Sequence, residues 1–276
     1  MDATPNMLDN QCLDDWVILG EDVDVIAAIA FTPDGLMMIT GSENKSIKIW
    51  DLQKMKCMAS VPEAHIEGIK CLVASPDNKH FLSGSYDGCI KMWTLKDLKS
   101  IHTFPNAHNF AVTSLKTTKD GLYLLSSSDD WTVKIWSLET NTQVHTFKDH
   151  TDAVTDLILS VDHTLIASAS NDRSIKVYDF FNRKMLFSLD DAHTDDFISL
   201  CISPDNKQLV SSADDKRIKV WDLEQRKCIA CAEKAHQNEL RSLAFSFDNK
   251  LIFSAGGDGA IKIWSFPELT LINQFE

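Results

Sequence analysis

Ile47-Lys48-Ile49-Trp50 is the first of six near-identical tetrapeptides that recur along the chain. The other five copies end at the aromatic residues Trp93, Trp136, Tyr178, Trp221 and Trp264. The intervals between successive terminal aromatic residues are 43, 43, 42, 43 and 43 residues. A fixed period of this length is typical of repeat architectures, in which each repeat is one supersecondary unit and stacked neighbours bury a continuous core. The spacing therefore predicts one domain made of six similar units.

Each repeat contains short runs of alternating apolar and polar residues, separated by turn residues. In the second repeat these runs cover residues 69–73, 81–85, 89–93 and 100–104. Such alternation over short runs is typical of half-buried β-strands. The pattern predicts an all-β fold with four antiparallel strands in every repeat. Radial arrangement of such sheets protects their edges, as in a propeller.

Five repeats also carry a histidine, a serine and an aspartate at constant distances before the terminal aromatic residue. These sets are His65, Ser83, Asp87 and Trp93; His108, Ser126, Asp130 and Trp136; His150, Ser168, Asp172 and Tyr178; His193, Ser211, Asp215 and Trp221; and His236, Ser254, Asp258 and Trp264. An indole only donates hydrogen bonds, a carboxylate only accepts them, and a hydroxyl or neutral imidazole does both, so the four groups can form a chain. The phenol of Tyr178 is expected to donate in place of an indole. The first repeat departs from this pattern, with Asp22, Thr40 and Asn44 at the corresponding positions.

This set of motifs resembles the WD40 repeat family over about residues 20–276. The resemblance implies an all-β propeller of six four-stranded repeats, in which each tetrad is a buried hydrogen-bond chain that links the strands of one blade. Serine, histidine and aspartate together are also compatible with a catalytic triad, which is recognised by its geometry. Five equivalent copies favour a structural role, because an enzyme needs a single site. We therefore expect a protein without catalytic activity.

The two ends of the repeat array leave the closure of the ring open. Residues 15–19 align with the fourth strand of an absent earlier repeat, and residues 271–275 form the fourth strand of the last repeat. The chain is expected to form either a six-bladed ring with one surplus strand or an incomplete seven-bladed ring, and the strand count favours the second. The expected organisation is an N-terminal tail over residues 1–14 and a propeller domain over residues 15–276. An open ring would expose a blade face and a strand edge, which is an aggregation hazard or a docking surface.

The composition restricts the class of partner and the compartment. The chain has 40 acidic and 27 basic residues, which gives a net charge of −13. This balance disfavours direct binding to nucleic acids and anionic membranes, which depends on Lys and Arg, and it favours partner proteins or peptides with basic segments. The seven cysteines are irregularly spaced and no secretory signal is apparent. These features predict reduced thiols and a cytoplasmic protein, with the nucleus and cytoskeletal structures as alternatives.

The resemblance also implies a partner-binding face. In the family, the loop before the first strand and the turn between the second and third strands share this face. The positions that reach it are Lys70, Tyr86, Asp129, Asp196, Asp214, Glu239 and Arg241. Acidic residues slightly predominate among them, which again favours basic partners within a multiprotein complex. The alternative is a solvated polar rim without a specific role, because single surface charges interact weakly.

Two aromatic residues distinguish the third repeat from the others on this face. Phe110 stands two residues after the repeat histidine, where the other repeats have Asp24, Glu67, Asp152, Asp195 and Asn238. Trp131 follows the turn aspartate, where the others have Lys45, Gly88, Arg173, Lys216 and Gly259. Exposed aromatic residues are typical anchors of protein interfaces. We expect Phe110 and Trp131 to anchor a peptide or domain partner; the alternative is that they pack on each other as a local cap.

Three further features of the sequence bear on catalysis, metal binding or partner binding. Phe181 is an additional candidate contact on the opposite face, where the other repeats have polar residues or proline. Cys228 and Cys231 match a C-x-x-C motif, but residues three apart on a strand are expected to point to opposite faces, so a shared metal ion is not expected. Phosphate-binding glycine-rich loops are absent from the sequence. The sequence therefore predicts no metal and no cofactor.

The predicted function is a protein-interaction scaffold, and two alternatives remain. One is a substrate receptor of a cullin-RING ubiquitin ligase. Many such receptors resemble this family and have a basic residue two positions after the aspartate of a Trp-Asp pair. This chain has Gln53, Phe181 and Glu224 at the corresponding positions, which disfavours that alternative. The other is a propeller enzyme, which would require one polar site that breaks the symmetry of the repeats near the central channel.

Overall fold

The computed structural model describes residues 25–104, 106–246 and 248–275. These residues form 24 strands in six four-stranded antiparallel sheets, which are the blades of a six-bladed β-propeller. The predicted all-β fold with four strands in each repeat is confirmed. The expected tail over residues 1–14 and the expected strand over residues 15–19 lie outside the described residues. Within the described ranges, no helix is long and apolar enough to cross a membrane.

The four strands of each blade follow one another in chain order from the innermost to the outermost strand. Blades 1 to 3 consist of β1 (Ile26–Phe31), β2 (Met37–Ser42), β3 (Ile47–Asp51) and β4 (Lys56–Val61); β5 (Ile69–Ala74), β6 (His80–Ser85), β7 (Ile90–Thr94) and β8 (Ser100–Phe104); and β9 (Val112–Thr117), β10 (Tyr123–Ser128), β11 (Val133–Ser137) and β12 (Thr142–Phe147). Blades 4 to 6 consist of β13 (Val154–Leu159), β14 (Leu165–Ser170), β15 (Ile175–Asp179) and β16 (Lys184–Leu189); β17 (Phe197–Ile202), β18 (Gln208–Ala213), β19 (Ile218–Asp222) and β20 (Lys227–Ala232); and β21 (Leu240–Phe245), β22 (Leu251–Gly256), β23 (Ile261–Ser265) and β24 (Leu271–Phe275).

Adjacent blades bury their apolar faces against each other, and this packing supplies the core. Between blades 1 and 2, Ile39 and Ile49 from the second and third strands of one blade enclose Ile69 from the inner strand of the next. Equivalent clusters lie between each following pair of blades up to blades 5 and 6. Removal of this apolar area from water is the main favourable contribution to folding. Because the turns between second and third strands all lie at one end of these stacked sheets, the repeats present them on a common face.

The outer strand of every blade pairs with a register shift of one residue beside the terminal aromatic residue. In blade 5 this shift pairs Trp221 with Cys228 and Lys219 with Cys231. Since Lys219 and Trp221 are two residues apart on β19 and point to the same side, both cysteines lie on that side too. The expectation that Cys228 and Cys231 point to opposite faces is therefore wrong, because the extra residue in the bulge interrupts the alternation.

Candidate interaction surface

The recurring polar residues form buried hydrogen-bond chains across the blades. In blade 3, Trp136 Nε1 donates to Ser126 Oγ at 2.9 Å, and Ser126 Oγ lies 2.7 Å from His108 Nε2. His108 Nδ1 lies 2.9 Å from Asp130 Oδ2. A neutral imidazole that accepts from the serine and donates to the aspartate satisfies every partner in this chain. Burial lowers the pKa of His108 despite the opposing influence of Asp130, which favours this neutral form.

The same chain occurs in blades 2, 5 and 6. The indoles of Trp93, Trp221 and Trp264 donate to Ser83, Ser211 and Ser254 at 2.8, 2.8 and 2.9 Å. The corresponding histidines, His65, His193 and His236, each contact the serine and the aspartate of their own blade. These groups are enclosed between strands, so they fasten each blade internally and are not available to a ligand.

Blades 1 and 4 depart from this geometry. In blade 4, His150 contacts Ser168 and Asp172 at 2.7 Å each, but the buried hydroxyl of Tyr178 has no hydrogen-bond partner among the described residues. The expected hydrogen bond from this phenol is therefore not seen among the described residues, although Ser168 lies close enough to offset part of the rise that burial causes in the pKa of Tyr178. A phenol hydroxyl extends from the tip of the ring, whereas an indole N–H projects from its side, so the two rings aim their donors differently.

In blade 1 the link between the aromatic residue and the hydroxyl is retained. Trp50 Nε1 donates to Thr40 Oγ1 at 2.9 Å, and Asn44 Oδ1 accepts from the amide of Ser46 at 3.0 Å. Asp22, which stands at the histidine position of this repeat, lies outside the described residues. The described residues of blade 1 therefore show two parts of the expected network. One is the hydrogen bond from the indole of Trp50 to the hydroxyl of Thr40, and the other is the turn held by Asn44.

The aspartate of each tetrad also joins two surface loops. Asp130 accepts hydrogen bonds from the amides of Asn109 and Thr132 at 3.0 and 3.1 Å. Burial by itself would raise the pKa of Asp130, but the hydrogen bonds from His108, Thr132 and Asn109 outweigh it and hold the pKa far below its usual range. The ionised carboxylate therefore fixes the loop before the first strand against the turn between the second and third strands. Both loops form the rim on which the predicted contact residues lie.

Trp131 occupies a backbone position that favours glycine. The residue after the turn aspartate or asparagine is left-handed in all six blades, with φ between 66° and 80° at Lys45, Gly88, Trp131, Arg173, Lys216 and Gly259. A bulky side chain in this region is energetically unfavourable by about 1–2 kcal/mol. Trp131 nevertheless adopts it with 51% of its surface exposed. The structure thus holds a large aromatic ring in solvent at a position where a glycine would be relaxed.

A cleft of about 440 Å³ opens beside Trp131 on the side of blade 4. Its wall includes Lys134, Gln143 and Lys148, together with His150. Burial lowers the pKa of Lys134, opposed by Asp130 and reinforced by Lys148. The cleft therefore combines an aromatic wall with two amino groups and one carboxylate. Gln143 and Lys148 are not among the residues predicted from the sequence, because they belong to an outer strand and the following loop, away from the expected rim positions.

Phe110 lies on the same rim but does not line this cleft. Its side chain is 63% exposed, and its carbonyl accepts a hydrogen bond from Ser128 Oγ at 3.3 Å. The amide of Asp129 also donates to the carbonyl of Ala111 at 3.0 Å, which ties the two loops of blade 3 together. Among the described aromatic contacts, none joins Phe110 to Trp131. The local-cap alternative therefore finds no support in the ring geometry.

The other predicted rim residues fall into two groups. Lys70 Nζ lies 5.0 Å above the Tyr86 ring and 3.9 Å from Asp129 Oδ2, which connects blades 2 and 3. These exposed interactions contribute roughly 0.5–1 kcal/mol each at most. Tyr86 remains 40% exposed within this group. The first group is thus a small mixed-charge patch around an aromatic ring.

The second group is an acidic cluster on blades 5 and 6. The amide of Asp214 donates to the carbonyl of Asp196 at 2.9 Å, and Arg241 pairs with Glu239 at 2.5 Å. Burial raises the pKa of Asp214, and the neighbouring charges of Asp195, Asp196 and Glu239 raise it further. Burial and the charges of Asp195 and Asp152 likewise raise the pKa of Asp196. Arg241 beside Asp214 and Arg173 beside Asp196 offset only part of the negative charge on this part of the rim.

Phe181 on the opposite face and the two cysteines of blade 5 are weaker candidates for partner binding or metal binding. Phe181 is 67% exposed, and its ring meets that of Phe180 edge to face at 5.3 Å. Burial raises the pKa of Cys228, and burial together with Glu233 raises the pKa of Cys231 to about 11. Both thiols are therefore protonated near neutral pH, which disfavours metal binding and thiolate chemistry. Within the described ranges, no group of three or more potential ligands is arranged to hold a metal ion.

Comparisons with known proteins agree with the repeat pattern. A family model described as WD domain, G-beta repeat matches residues 17–51, 55–94, 98–137, 141–179, 183–222 and 226–265. These six segments cover most of the chain, and each of them ends at the residue after the terminal aromatic residue of a repeat. A comparison with curated proteins found no match to the sequence.

Proposed function

Because the chain belongs to the WD40 repeat family, we propose that it is a noncatalytic scaffold that assembles partner proteins or peptides on the rim of its propeller. Absence of catalysis is part of the proposal. The Ser-His-Asp groups that resemble a triad are buried between strands in several equivalent copies, with the serine hydroxyl already engaged by an indole in most of them. A substrate could reach these hydroxyls only if the blades separated.

One observation carries the proposal: Trp131 is exposed in a strained backbone position beside a cleft. Strain that is retained at an exposed site is commonly associated with function. A tryptophan that becomes buried at the centre of an interface typically contributes about 2 kcal/mol or more to binding. Phe110 on the same rim would extend the apolar contact. We therefore infer that the rim of blade 3 is the anchor point for a partner.

The acidic cluster of blades 5 and 6 indicates what kind of segment this partner presents. Burial raises the pKa values of Asp196 and Asp214, and the negative charges of neighbouring aspartates raise them further. A basic segment would neutralise these charges and would also be attracted at long range by the net charge of −13. We infer a partner protein or peptide with an apolar anchor and a basic stretch, which joins the scaffold in a cytoplasmic multiprotein complex.

Affinity purification followed by mass spectrometry tests the anchor. The tagged full chain is compared with Trp131→Ala and with Phe181→Ala, a control that removes an aromatic ring at least as exposed from the opposite face. At least one partner should be lost from Trp131→Ala and kept by Phe181→Ala. If both variants keep the same partners and the fold is intact, the rim of blade 3 is not the anchor. Recovery of cullin adaptors with the wild-type chain would instead favour the ubiquitin-ligase alternative.

A further inference from the structure

The loop after the outer strand of blade 3 carries a basic residue that the other repeats lack. Lys148 stands twelve residues after the terminal aromatic residue of its repeat. The residues at the same position of the other repeats are Pro62, Pro105, Asp190, Glu233 and Glu276. Blade 3 therefore has a lysine where the other repeats have a proline or an acidic residue, and it is the same blade that exposes Trp131.

Blade 5 shows how an acidic residue is bound at this position. Arg217 Nε donates a hydrogen bond to Glu233 Oε2 at 2.6 Å, and the thiol of Cys231 lies 3.5 Å from Glu233 Oε1. The hydrogen bond from Arg217 lowers the pKa of Glu233 against the opposing effect of partial dehydration, and the thiol of Cys231 and the charge of Lys219 lower it further. The carboxylate of Glu233 is thus held among the side chains of β19, β20 and the preceding turn.

The corresponding residues of blade 3 line the cleft beside Trp131. The residues equivalent to Arg217, Lys219 and Cys231 are Thr132, Lys134 and Thr146. Because Lys148 replaces the glutamate, blade 3 has no carboxylate of its own at this position. The cleft of about 440 Å³ therefore lies where blade 5 places a carboxylate.

The charges around the cleft favour an anionic occupant. Among the described residues, Lys148 Nζ has no acidic partner within the distance of an ion pair. Lys134 Nζ donates to the carbonyl of Ala107 and is close enough to Lys148 for the two positive charges to repel each other. Asp130 offsets only one of these charges, and its carboxylate already accepts hydrogen bonds from His108 and two backbone amides. A carboxylate between the two lysines would relieve their repulsion and accept charge-assisted hydrogen bonds.

We propose that the cleft beside Trp131 binds the carboxylate of an aspartate or glutamate side chain of the rim partner, between Lys134 and Lys148. A neighbouring apolar residue of the same segment packs on the indole. This inference rests on the proposed rim function and adds the chemistry that the anchor of the partner presents. The aromatic wall accepts many apolar side chains, whereas the two amino groups select an acidic neighbour and disfavour a basic one. The basic stretch of the partner then lies away from the anchor, over blades 5 and 6.

Nuclear magnetic resonance of the full chain with a defined probe tests the proposal. The indole N–H resonance of Trp131 is assigned from its absence in Trp131→Gly. The probe is the dipeptide acetyl-leucyl-glutamate amide, which carries one apolar and one acidic side chain. We expect a saturable shift of this resonance with an affinity in the millimolar range, because so small a ligand buries little surface. Acetyl-leucyl-glutamine amide should bind about fivefold more weakly or less, since it has the same shape without the charge.

The matched variants are Lys148→Glu in the cleft and Lys227→Glu on the outer strand of blade 5. Both lysines are exposed, so neither substitution should disturb the fold, which circular dichroism verifies. Lys148→Glu should abolish the saturable shift, because blade 3 then supplies its own carboxylate as blade 5 does. Lys227→Glu makes the same change in net charge and should leave the affinity for the dipeptide unchanged.

Four outcomes of the dipeptide titration would overturn the proposal. The first is the absence of a saturable shift, whether the cleft takes no anion or the acidic residues of this chain already fill it. The second is equal affinity for the glutamate and glutamine dipeptides. The third is unchanged binding by Lys148→Glu. The fourth is binding of acetyl-leucyl-phosphoserine amide without binding of the glutamate dipeptide, which would identify a phosphorylated side chain as the occupant.

Affinity purification with both Trp131→Ala and Lys148→Glu separates this inference from the rim function. A partner lost from both variants and kept by Lys227→Glu agrees with the two proposals together. If Trp131→Ala loses a partner that Lys148→Glu keeps, the rim function stands and the carboxylate inference is wrong. If Trp131→Ala keeps every partner, the rim function is wrong and the inference, which depends on it, falls with it.

Discussion

Trp131 and Gly88 occupy equivalent positions in neighbouring blades and have nearly the same backbone conformation, with φ of 71° and 73°. Glycine adopts this left-handed conformation without a steric penalty, whereas tryptophan does not. At Gly88 an added Cβ would lie 2.5 Å from the carbonyl oxygen of His108, so that blade has no room for a side chain. Blade 3 instead directs a large ring into solvent at the same point of the fold.

Replacement of Trp131 by glycine should increase the stability of the fold and at the same time weaken partner binding. Trp131→Gly is expected to stabilise the fold by up to about 1 kcal/mol, because it removes the left-handed strain. The same variant should lose the partner that the rim recruits. The matched control is Arg173→Gly in blade 4, which relieves the same strain at φ 67° and should keep the partner. Chemical denaturation and affinity purification measure the two effects, and strong destabilisation by Trp131→Gly would show that the ring is structural.

Removing the serine hydroxyl of the hydrogen-bond chain should lower the free energy of unfolding more in blade 5 than in blade 4. Ser211→Ala leaves both the indole N–H of Trp221 and the Nε2 atom of His193 without a partner. Ser168→Ala affects only His150, because Tyr178 makes no bond to the serine. Each unsatisfied buried group costs about 1–3 kcal/mol, so the free energy of unfolding should fall by about 1–2 kcal/mol more for Ser211→Ala. Urea denaturation at neutral pH checks the difference, and equal losses would contradict the assigned chains.

The hydroxyl of Tyr178 should contribute nothing favourable to stability. It is buried without a partner among the described residues, and its ring packs 4.2 Å from that of Phe147. Tyr178→Phe removes an unsatisfied polar atom and keeps the ring contact, so the variant should be neutral or more stable by about 1 kcal/mol. Thermal unfolding of the two proteins measures this change. A clear loss of stability in Tyr178→Phe would show that the hydroxyl is hydrogen-bonded in solution.

Acid should destabilise the protein in two stages. Burial lowers the pKa of His193 below its usual value of 6.5, so the unfolded chain binds this proton first as the pH falls. Burial would raise the pKa of Asp215, but hydrogen bonds from His193 and from backbone amides outweigh it and lower the pKa from 3.8 to about 2. Both groups stabilise the fold above their unfolded pKa values and lose that contribution as the pH falls.

The free energy of unfolding should therefore decline below about pH 6.5 and decline further between about pH 4 and pH 2. Urea denaturation at a series of pH values measures this profile. The histidine stage should be smaller in a His193→Gln variant, which cannot take up a proton at that position. A profile that stays flat down to about pH 4 would contradict the lowered pKa values of His108 and His193.

Neutralisation of the acidic cluster should stabilise the free protein and weaken binding. Asp214→Asn removes one of several close negative charges, so the free energy of unfolding at neutral pH should rise by up to about 1 kcal/mol. The gain should shrink as salt is added, because ions screen the repulsion. Asp129→Asn is the matched control, since it removes a charge that Lys70 already faces at 3.9 Å. A gain for Asp214→Asn that is independent of salt would point to a packing effect.

Much of the fold could be predicted from the sequence because the repeat is local. The positions of Trp93 and Trp136 relative to their serines and histidines are constant, and strand alternation over a few residues determines which side chains are buried. The same comparison of repeats singled out Phe110 and Trp131, which both lie exposed on the rim. These features depend on spacing within one repeat, and spacing is directly visible in a sequence.

Other features arise only when the strands are assembled. The bulge beside Trp221 brings Cys228 and Cys231 to one side of the sheet, and the direction of the Tyr178 hydroxyl depends on how its ring fits among its neighbours. The cleft beside Trp131 is also lined by His150, which belongs to the next repeat. The sequence by itself determined the blades and their internal hydrogen-bond chains, since these follow a fixed local period. The tertiary structure alone decided which blade faces stay exposed, because burial depends on whether another surface is present to cover them.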